Sequence, residues 1–409
     1  MKNLQLYLLP LLLLFFQNTN AQPGCTDPQA NNYDPQATEN DGSCTYPTTS
    51  YMPHQIAVLP DSLTECSGLA FFQDRLWAQM DGGNPDRLYI LDTLTGGGTR
   101  TNKLMNGNNT DWEDLAEDAT HLYIGDFGNN SGDRTDLHIY KVKKTELPDN
   151  GPTAEVIEFT LSDQTDFTPA HNDNNYDMEA FFFWNDSLHL FSKNWVDFKT
   201  RHYVLPATPG LHVAQLRDSL EVQMQVTGAD ITEDGRAVLL GYNTSTGEVF
   251  LWLLFDFPGS DVFAGNKRKL SLGSALLLSQ PEGIAMHNAT KGFICSEKFN
   301  VLPPKLFDFD IGEFISGPDL SEEAPRPLQL ELYPNPATDR LDIHAGNSGT
   351  GKIRLQVLDW TGKILQERVQ ESNGAAFDFK LNIAGLAAGS YLVILKNKKN
   401  TWRAVFLKQ

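Results

Sequence analysis

Five segments follow one pattern, in which an acidic or small residue opens a short apolar strand: ECSGLAFF (65–72), DWEDLAED (111–118), DMEAFFFW (177–184), TGADITED (227–234) and PEGIAMHN (281–288). A second apolar run follows each of them after a tight polar turn, as in RLWAQMD (75–81). A third run, such as RLYILD (87–92), follows a loop that in most segments contains Asn. Alternating β-branched and aromatic residues between turns of Gly, Asn and Asp are typical of antiparallel strands. Repetition of such a unit predicts a repeat architecture.

A fourth and more variable strand completes the repeat. The last segment lacks one of its own, and His54–Leu59 near the start of the chain can supply it, closing the ring so that no strand edge is left unpaired. We therefore predict an all-β chain with a five-bladed β-propeller over residues 50–315. A sixth blade would exist if the stretch between Tyr140 and Asp177 contained a degenerate repeat, and a β-sandwich is the other alternative. The fourth strands are TRTNKLM (99–105), AEVIEFTLS (154–162), AQLRDSLEV (214–222) and NKRKLSLG (266–273).

Length and charge restrict the class of protein. A chain of 409 residues exceeds a single typical core, so two or three folded units are expected. The formal net charge of -20 excludes the basic footprint that phosphate backbones require, so no nucleic-acid partner is predicted. A cation or a neutral surface is a more suitable binding partner for a chain of this charge.

The first 21 residues have the features of a secretory signal peptide. Lys2 supplies the positive charge, Leu6–Phe16 the apolar run, and Thr19–Ala21 a small-residue cleavage site. The apolar run is shorter than the ~20 residues that span a bilayer, and no later segment is long and apolar enough, so no transmembrane segment is predicted in the mature chain. The expected location is secreted or at the cell surface, after passage through the periplasm.

Four cysteines in an exported chain form an even set that should oxidise: Cys25, Cys44, Cys66 and Cys295. Sequence alone permits three pairings. Cys25 with Cys44 is the local choice, which leaves Cys66 with Cys295. On the propeller hypothesis these two lie in the first and last blades, where a disulfide would staple the ring; two buried free thiols are the alternative.

Residues 22–49 form a Cys-bounded segment rich in Asp and Asn, followed by a spacer. The segment resembles a short repeat found in many secreted bacterial proteins, and it offers almost nothing to bury, so it depends on its disulfide. Two interpretations of its polar side chains stay open, namely Ca²⁺ ligands and turn-forming residues. The side chains in question are Asp27, Asn31, Asp34, Asn40 and Asp41.

A polar, proline-bearing linker (316–327) separates the propeller from a C-terminal module (328–409) of alternating strands, which predicts a small Ig-like β-sandwich. Three landmarks occur in order in this module: Tyr333-Pro334-Asn335-Pro336, then Leu386-x-x-Gly389-x-Tyr391, then a last strand ending at Lys408-Gln409.

With these landmarks the module resembles the C-terminal sorting domain of type IX secretion cargo. The resemblance implies that the type IX machinery recognises the module at the outer membrane and that the module is usually removed. It further implies that the cargo is then released or linked to surface lipopolysaccharide. An ordinary accessory Ig-like domain is the alternative.

Acidic and amide residues mark one face of the predicted ring. The loop entering the first strand of a blade and the loop joining its second and third strands emerge on the same face, so residues in these two places should meet at one mouth of the channel. Carboxylates gathered there need a hard cation, basic partners or raised pKa values. We therefore expect a Ca²⁺ or other ligand site. Its candidate residues are Glu65, Asp81, Glu113, Asp126, Asp177, Glu179, Asn194, Asp230, Asn243 and Glu282.

Purely structural roles for these residues form the competing hypothesis. Arg87, Arg134, Arg201 and Lys305 follow the same loops and could pair with the acids. Polar residues at blade openings can also hydrogen-bond the neighbouring turn.

The middle region weakly resembles secreted propellers of the gluconolactonase and phytase-like esterase kind, through EGIA at Glu282 and the acid-led inner strands. The resemblance implies a metal-bound hydrolase of lactones or esters, with Glu282 and Glu65 as candidate ligands and Asn194 or Asn243 as further ones. The chain contains no Gly-x-Ser-x-Gly, His-Glu-x-x-His, phosphate-loop or Cys-x-x-Cys motif. The main hypothesis is an exported propeller that binds a cation or an extracellular ligand, and the alternative is a Ca²⁺-dependent hydrolase.

Overall fold

The computed structural model describes residues 21–147, 151–315, 330–345, 349–359, 363–374, 377–396 and 401–409. The predicted signal peptide, apart from its last residue, and the predicted linker lie outside the described residues. No helix among these residues has the length and apolar character needed to cross a membrane.

The repeat region folds into five four-stranded blades, as the sequence predicts, and two of these blades join into one eight-stranded sheet. In each blade the first three strands run antiparallel in chain order, and the polar turns between apolar runs become the hairpins. The stretch between Tyr140 and Asp177 contributes the last strand of blade 2 and a long loop within its described part, so no sixth blade is present there. The strands of blade 1 are Cys66–Phe72, Arg75–Met80, Arg87–Leu91 and Gly98–Lys103; those of blade 2 are Trp112–Glu117, His121–Asp126, His138–Lys143 and Glu155–Leu161; those of blade 3 are Met178–Trp184, Ser187–Ser192, Thr200–Pro206 and Gly210–Leu220; those of blade 4 are Gln225–Ile231, Ala237–Tyr242, Glu248–Phe255 and Asn266–Ser274; and those of blade 5 are Gln280–Met286, Lys291–Glu297, Lys305–Asp310 and His54–Val58.

The ring closes through the strand that the sequence assigned to this role. His54–Val58 pairs antiparallel with Lys305–Asp310 as the outer strand of blade 5. The inner strand of each blade packs against the inner strand of the next, and that of blade 5 packs against that of blade 1. N-terminal and C-terminal segments of the repeat region therefore share one sheet, so the closure depends on residues far apart in the chain.

Blades 2 and 3 are joined at their outer edges, which the sequence did not predict. The strand Gly210–Leu220 is long enough to pair twice. Its first half runs parallel to Glu155–Leu161 of blade 2, and its second half runs antiparallel to Thr200–Pro206 of its own blade. This pairing covers the outer edges of both blades.

Short elements complete the propeller region. Thr49–Ser50 pairs parallel with the outer strand of blade 4. Pro23–Gly24 and Glu39–Asn40 pair within the Cys-bounded segment. The described part of this region contains four single-turn helices, which are the 3₁₀-helices Asp61–Leu63 and Lys144–Glu146 and the α-helices Ala275–Leu278 and Gly312–Ile315.

The cysteines behave differently in the two predicted pairs. Cys25 and Cys44 form the local disulfide. Cys66 and Cys295 are buried free thiols, so the disulfide expected between them is not formed in the structure. The physical reason lies in the interface between blades 1 and 5, where the Cys295 thiol donates to the Cys66 carbonyl oxygen at 3.1 Å instead of pairing with its sulfur.

The polar side chains of the Cys-bounded segment act in turns. Asp27 Oδ1 accepts the Gln29 N–H at 2.9 Å, and Asp34 Oδ1 accepts the Gln36 N–H at 2.9 Å. Asn40 and Asp41 accept in the same way from the residues two positions further along the chain. Because these oxygens already hold backbone donors, the turn interpretation of the segment is the one that the geometry supports.

The C-terminal module consists of two antiparallel sheets around one apolar core. Among the residues described there, one sheet contains three strands and the other four. Its core includes Leu341, Ile353, Val393 and Phe406. The first sheet contains Leu330–Tyr333, Arg340–Ala345 and Phe377–Asn382, and the second contains Gly349–Leu358, Ile364–Gly374, Gly389–Lys396 and Thr401–Lys408.

Candidate functional site

Each inner strand of the propeller carries a β-bulge close to its start. The residue left out of the ladder cannot alternate normally with its neighbours, and bulges of this kind re-aim side chains. Four of the five bulged side chains line a central cavity, the exception being that of Thr227. The bulged residues are Ser67, Glu113, Glu179, Thr227 and Glu282.

Small residues follow most of the bulged positions and bring the inner strands close together at the axis. A Cβ on Gly228 would collide with the Glu282 carbonyl oxygen, and one on Gly283 would collide with the Ser67 carbonyl oxygen. In blade 2 this position holds Asp114, which is fully buried. Its carboxylate accepts the N–H groups of its neighbour Leu115 at 2.8 Å and of Phe181 and Ala229 at 3.2 Å each. Asp114 therefore ties blades 2, 3 and 4 together at the axis.

The cavity has a volume of about 400 Å³, within the range of small-ligand sites. Its lining includes five carboxyl groups from four different blades, one ammonium group and three aromatic rings. The lining residues that the following paragraphs use are Asp81, Glu113, Glu179, Lys193, Trp195, Tyr242, Gln280, Glu282, Glu297 and Phe299.

Three carboxylates converge at the junction of blades 1 and 2. One oxygen each of Asp81, Asp111 and Glu113 lies within 4.8 Å of the other two. Two glycines leave room for this cluster, because a Cβ on Gly82 would overlap Asp111 Oδ1 and one on Gly128 would overlap Glu113 Oε1 and Asp111 Oδ2. Oxygen ligands at this separation suit a hard divalent cation.

Burial and mutual repulsion oppose ionisation of these carboxyl groups. Burial, reinforced by Asp111 and Glu282, raises the pKa of Asp81 to about 7. Burial and the neighbouring Asp177 raise the pKa of Asp111 to about 6. The pKa of Glu113 rises well above its usual value, again through burial and then through Glu179 and Asp81. The cluster thus carries more negative charge, when ionised, than the basic side chains around it balance.

Lys193 supplies the ammonium group of the cavity. Its Nζ lies 3.0 Å from Glu179 Oε1 and 5.3 Å from the centre of the Trp195 ring. Burial alone would lower the pKa of Lys193, but the carboxylates of Glu179, Glu282 and Asp177 raise it well above its usual value. Lys193 is therefore charged and paired with Glu179.

Glu282 and Glu297 form a second acidic wall. Glu282 Oε1 accepts from Gln280 Nε2 at 2.5 Å and from the Tyr242 hydroxyl at 3.4 Å. Glu282 Oε2 and Glu297 Oε1 are buried and have no hydrogen-bond partner among the described residues. Burial raises the pKa of both residues, and the charge of Glu282 raises that of Glu297 further.

Five of the ten predicted site residues lie together at the cavity. Asn243 takes part in the rim, where its Oδ1 caps the turn by accepting the Ser245 and Thr246 N–H groups at 2.9 and 3.0 Å. The predicted residues that line the cavity are Asp81, Glu113, Glu179, Asn243 and Glu282.

Three predicted residues are buried beside the cavity but serve the fold. Asp126 Oδ1 lies 3.0 Å from Arg134 Nη2, which is the structural ion pair that the competing hypothesis foresaw. Asp177 accepts from the Asn129 N–H at 2.6 Å and the Trp195 indole N–H at 2.8 Å. Asn194 Oδ1 accepts from the Ser192 hydroxyl at 2.6 Å, and Asn194 Nδ2 donates to Asp197 Oδ1 at 2.8 Å. Their oxygens are occupied, which corrects their assignment as ligands.

Two further predicted residues lie elsewhere. Glu65 is exposed at the rim, where its Oε2 accepts from Asn84 Nδ2 at 2.7 Å. Asp230 stands at the far end of its inner strand and accepts the Ile231 and Met286 N–H groups at 2.7 and 2.6 Å. The prediction misplaced Asp230 because the strand begins at Gln225, two residues before the segment that the sequence pattern delimited.

Lys193, Gln280 and Tyr242 were missed by the sequence analysis, and Asp111 and Glu297 were not selected as ligands. Aligning the five repeats on a common opening residue would have identified the bulged positions that line the cavity. In each blade the bulged residue lies two positions after the opening residue, which is Glu65, Asp111, Asp177, Gln225 or Gln280. No sequence signal marks Lys193, because its role in the cavity depends on its contact with Glu179 of another strand.

The landmarks of the C-terminal module meet around the last strand. Asn335 Oδ1 accepts the Leu407 N–H at 2.9 Å, and Asn335 Nδ2 donates to the Val405 carbonyl at 3.1 Å. Gly389 pairs with Lys408, and the Tyr391 ring stacks on Phe406 at 5.4 Å between centres. Residues 331–409 match the family model of the secretion system C-terminal sorting domain.

This match covers about a fifth of the chain, and it confirms the type IX sorting domain expected there. The sorting domain indicates export and a cell-surface or secreted location. Roles of individual landmark residues in sorting stay predictions: Tyr333, Pro334, Asn335, Pro336, Gly389, Tyr391 and Lys408.

No curated protein matches the chain. Among solved structures, the calcium-binding protein regucalcin from Agrobacterium tumefaciens is 11% identical over 64% of this chain and 96% of its own, with a TM-score of 0.35. A gluconolactonase from Xanthomonas campestris is 12% identical over 64% and 98%, with a TM-score of 0.33. A mannose phosphorylase from Leishmania mexicana is 12% identical over 66% and 91%, with a TM-score of 0.39. These likenesses are too distant to transfer a ligand or a reaction to this chain.

Proposed function

We propose that the exported propeller binds a divalent cation, with Ca²⁺ as the ion, at the junction of blades 1 and 2. Asp81, Asp111 and Glu113 would be its protein ligands. The observation that carries the proposal is their convergence within 4.8 Å of one another at a cavity with a deficit of positive charge. Carboxylate oxygens are the ligands that Ca²⁺ prefers, and extracellular Ca²⁺ modules work with modest affinity.

Burial supports the same conclusion. Keeping three carboxylates together at pH 7 costs free energy, which an ion bound between them would offset. The glycines Gly82 and Gly128 keep the space around the cluster free of side chains, so the protein backbone is adapted to this arrangement of acids. The remaining ligand positions of the ion would be open to water or to an extracellular ligand in the cavity.

The test is a thermal unfolding series on the purified mature chain in Ca²⁺ or in EDTA. A ligand that binds only the folded state raises the Tm, so Ca²⁺ should raise it and EDTA should reverse the rise. Asp81→Asn and Glu113→Gln should each remove the response. Glu233→Gln, a matched change at an exposed residue, should leave it intact. An identical Tm for wild type in Ca²⁺ and EDTA would refute the proposal.

A Ca²⁺-dependent hydrolase on the same cavity is the second candidate. The observation that favours it is the Lys193 ammonium in a cavity shared with the carboxylate cluster. A cation and an ammonium group facing one substrate can stabilise the negative charge that develops in ester or lactone hydrolysis. Turnover of generic lactone, phosphate and ester substrates, lost in Glu113→Gln and Glu282→Gln, would favour the enzyme. Ca²⁺ stabilisation without turnover would favour binding alone.

We also propose that the sorting domain directs the chain from the periplasm through the type IX machinery. Deletion of residues 328–409 should leave the protein in the periplasmic fraction, whereas the full chain should reach the surface or the medium. Surface delivery of the truncated chain at normal levels would contradict this role. Slow, heterogeneous gel migration that reacts with antibody to lipopolysaccharide would show surface linkage, and a discrete band in the medium would show release.

A further inference from the structure

Two carboxylate oxygens in the cavity lack partners and are not explained by the proposed cation. Glu282 Oε2 and Glu297 Oε1 are buried without a donor among the described residues, and Glu282 is only 5% exposed. A buried acceptor of this kind costs about 1–3 kcal/mol, and more when it is charged. Both residues line the cavity, so the missing donor can come from a molecule bound there.

Charge within the cavity points to a positively charged donor. Lys193 is the one basic residue among the lining residues, and its ammonium is already 3.0 Å from Glu179. The cluster that would hold the divalent cation comprises Asp81, Asp111 and Glu113, and neither Glu282 nor Glu297 belongs to it. A cation bound by that cluster therefore supplies no hydrogen-bond donor to Glu282 Oε2 or Glu297 Oε1, although Lys193 balances part of their negative charge.

The chemistry of the wall favours an organic cation over a second metal ion. No third acidic side chain among the described residues joins Glu282 and Glu297 in a group that could hold a metal ion. The rings of Trp195, Tyr242 and Phe299 line the same cavity. Aromatic faces attract organic ammonium groups, and a cavity of about 400 Å³ accommodates a small molecule.

We infer that the wall formed by Glu282 and Glu297 binds the ammonium group of a small organic amine. The N–H groups of the amine donate to Glu282 Oε2 and Glu297 Oε1, and its carbon chain lies against the aromatic rings. Gln280 and Tyr242 hold Glu282 in place through its other oxygen. This inference rests on the proposed function, because it names the class of extracellular ligand for the same cavity.

The experiment is isothermal titration calorimetry of the full mature chain with 1,4-diaminobutane and with its neutral counterpart 1,4-butanediol, each in Ca²⁺ and in EDTA. The diamine should bind and the diol should not, because only the diamine offers a charged donor. Glu282→Gln and Glu297→Gln should each weaken diamine binding by about tenfold or more, as expected for a lost charge-assisted hydrogen bond. Glu233→Gln, at an exposed site, should bind as wild type does. Circular dichroism and Tm confirm that each variant is folded.

Three results would overturn the inference. One is equal binding of diol and diamine, which would assign the wall to hydroxyl groups. Another is diamine binding that neither glutamine variant weakens, which would trace it to the overall charge of -20. The third is no binding of the diamine at all. The proposed cation site is judged separately from the wild-type Ca²⁺ response, so an amine bound in EDTA without a Ca²⁺ effect would sustain the inference and refute the cation site.

Discussion

Asp114 and Glu282 are both buried on inner strands of the propeller, yet their carboxylates have different hydrogen-bond partners. Asp114 holds three backbone N–H groups from blades 2, 3 and 4. Glu282 has one oxygen with two donors and one with none. Burial of an acid is therefore not the mark of a site in this molecule. Lack of hydrogen-bond partners separates the cavity wall from the acid that holds the axis together.

Removal of Asp114 should have the largest effect on stability. Asp114→Ala leaves three buried N–H donors unpaired, and we expect the free energy of unfolding in urea to fall by about 4 kcal/mol. Asp133→Ala, at an exposed position, should change it by less than about 0.5 kcal/mol. A loss below about 1 kcal/mol for Asp114→Ala would mean that Asp114 does not tie the blades together.

The acids clustered at the junction of blades 1 and 2 should make stability depend on pH in the absence of Ca²⁺. The pKa values of Asp81 and Asp111 are raised in the folded chain to about 7 and about 6, above the value of 3.8 for an unperturbed Asp. The folded state therefore holds more protons, so their stabilising contribution is present below pH 4 and is lost as the pH rises to 7. Across that range we expect the titration of Asp81 alone to cost about 3 kcal/mol.

Urea unfolding of wild type and Asp81→Asn at several pH values in EDTA checks this slope. The variant should lose less stability between pH 4 and pH 7, because Asn does not titrate. Parallel pH profiles for the two proteins would show that Asp81 ionises normally and would contradict its raised pKa.

The smallest expected effect is on the reactivity of the buried thiols of Cys66 and Cys295. Cys295 donates to the Cys66 carbonyl, and burial raises the pKa of its thiol well above the usual value. Since the thiolate is the reactive form, Cys66 and Cys295 should react with a thiol reagent such as Ellman's reagent only after unfolding. Two thiols should then be counted in denaturant. A count of zero would restore the disulfide that the sequence suggested.

Much of the fold was predictable from local pattern. The alternating strands and polar turns gave the five blades, and the missing fourth strand of the last repeat identified His54–Val58 as the closing strand. The parallel pairing of Gly210–Leu220 with blade 2 was not predictable, because edge contacts between blades leave no periodic signal.

The candidate site was predictable only in part, for a related reason. Residue type and loop position placed Glu113, Glu179 and Glu282 at the cavity, but they could not tell a free carboxylate from one with partners. Asp126, like Glu113, is an acidic residue at a predicted rim position of blade 2. Its carboxylate forms an ion pair with Arg134 and therefore does not line the cavity. Asp230 was misplaced by an error of two residues in the start of a strand.

The most direct test of the account is a crystal structure of the mature chain grown with a Ca²⁺ mimic that scatters anomalously, such as Tb³⁺. The account predicts an anomalous peak bonded to oxygens of Asp81, Asp111 and Glu113 at the junction of blades 1 and 2. A well-ordered cavity without a peak there, or a peak confined to the Asp-rich segment between Cys25 and Cys44, would contradict it.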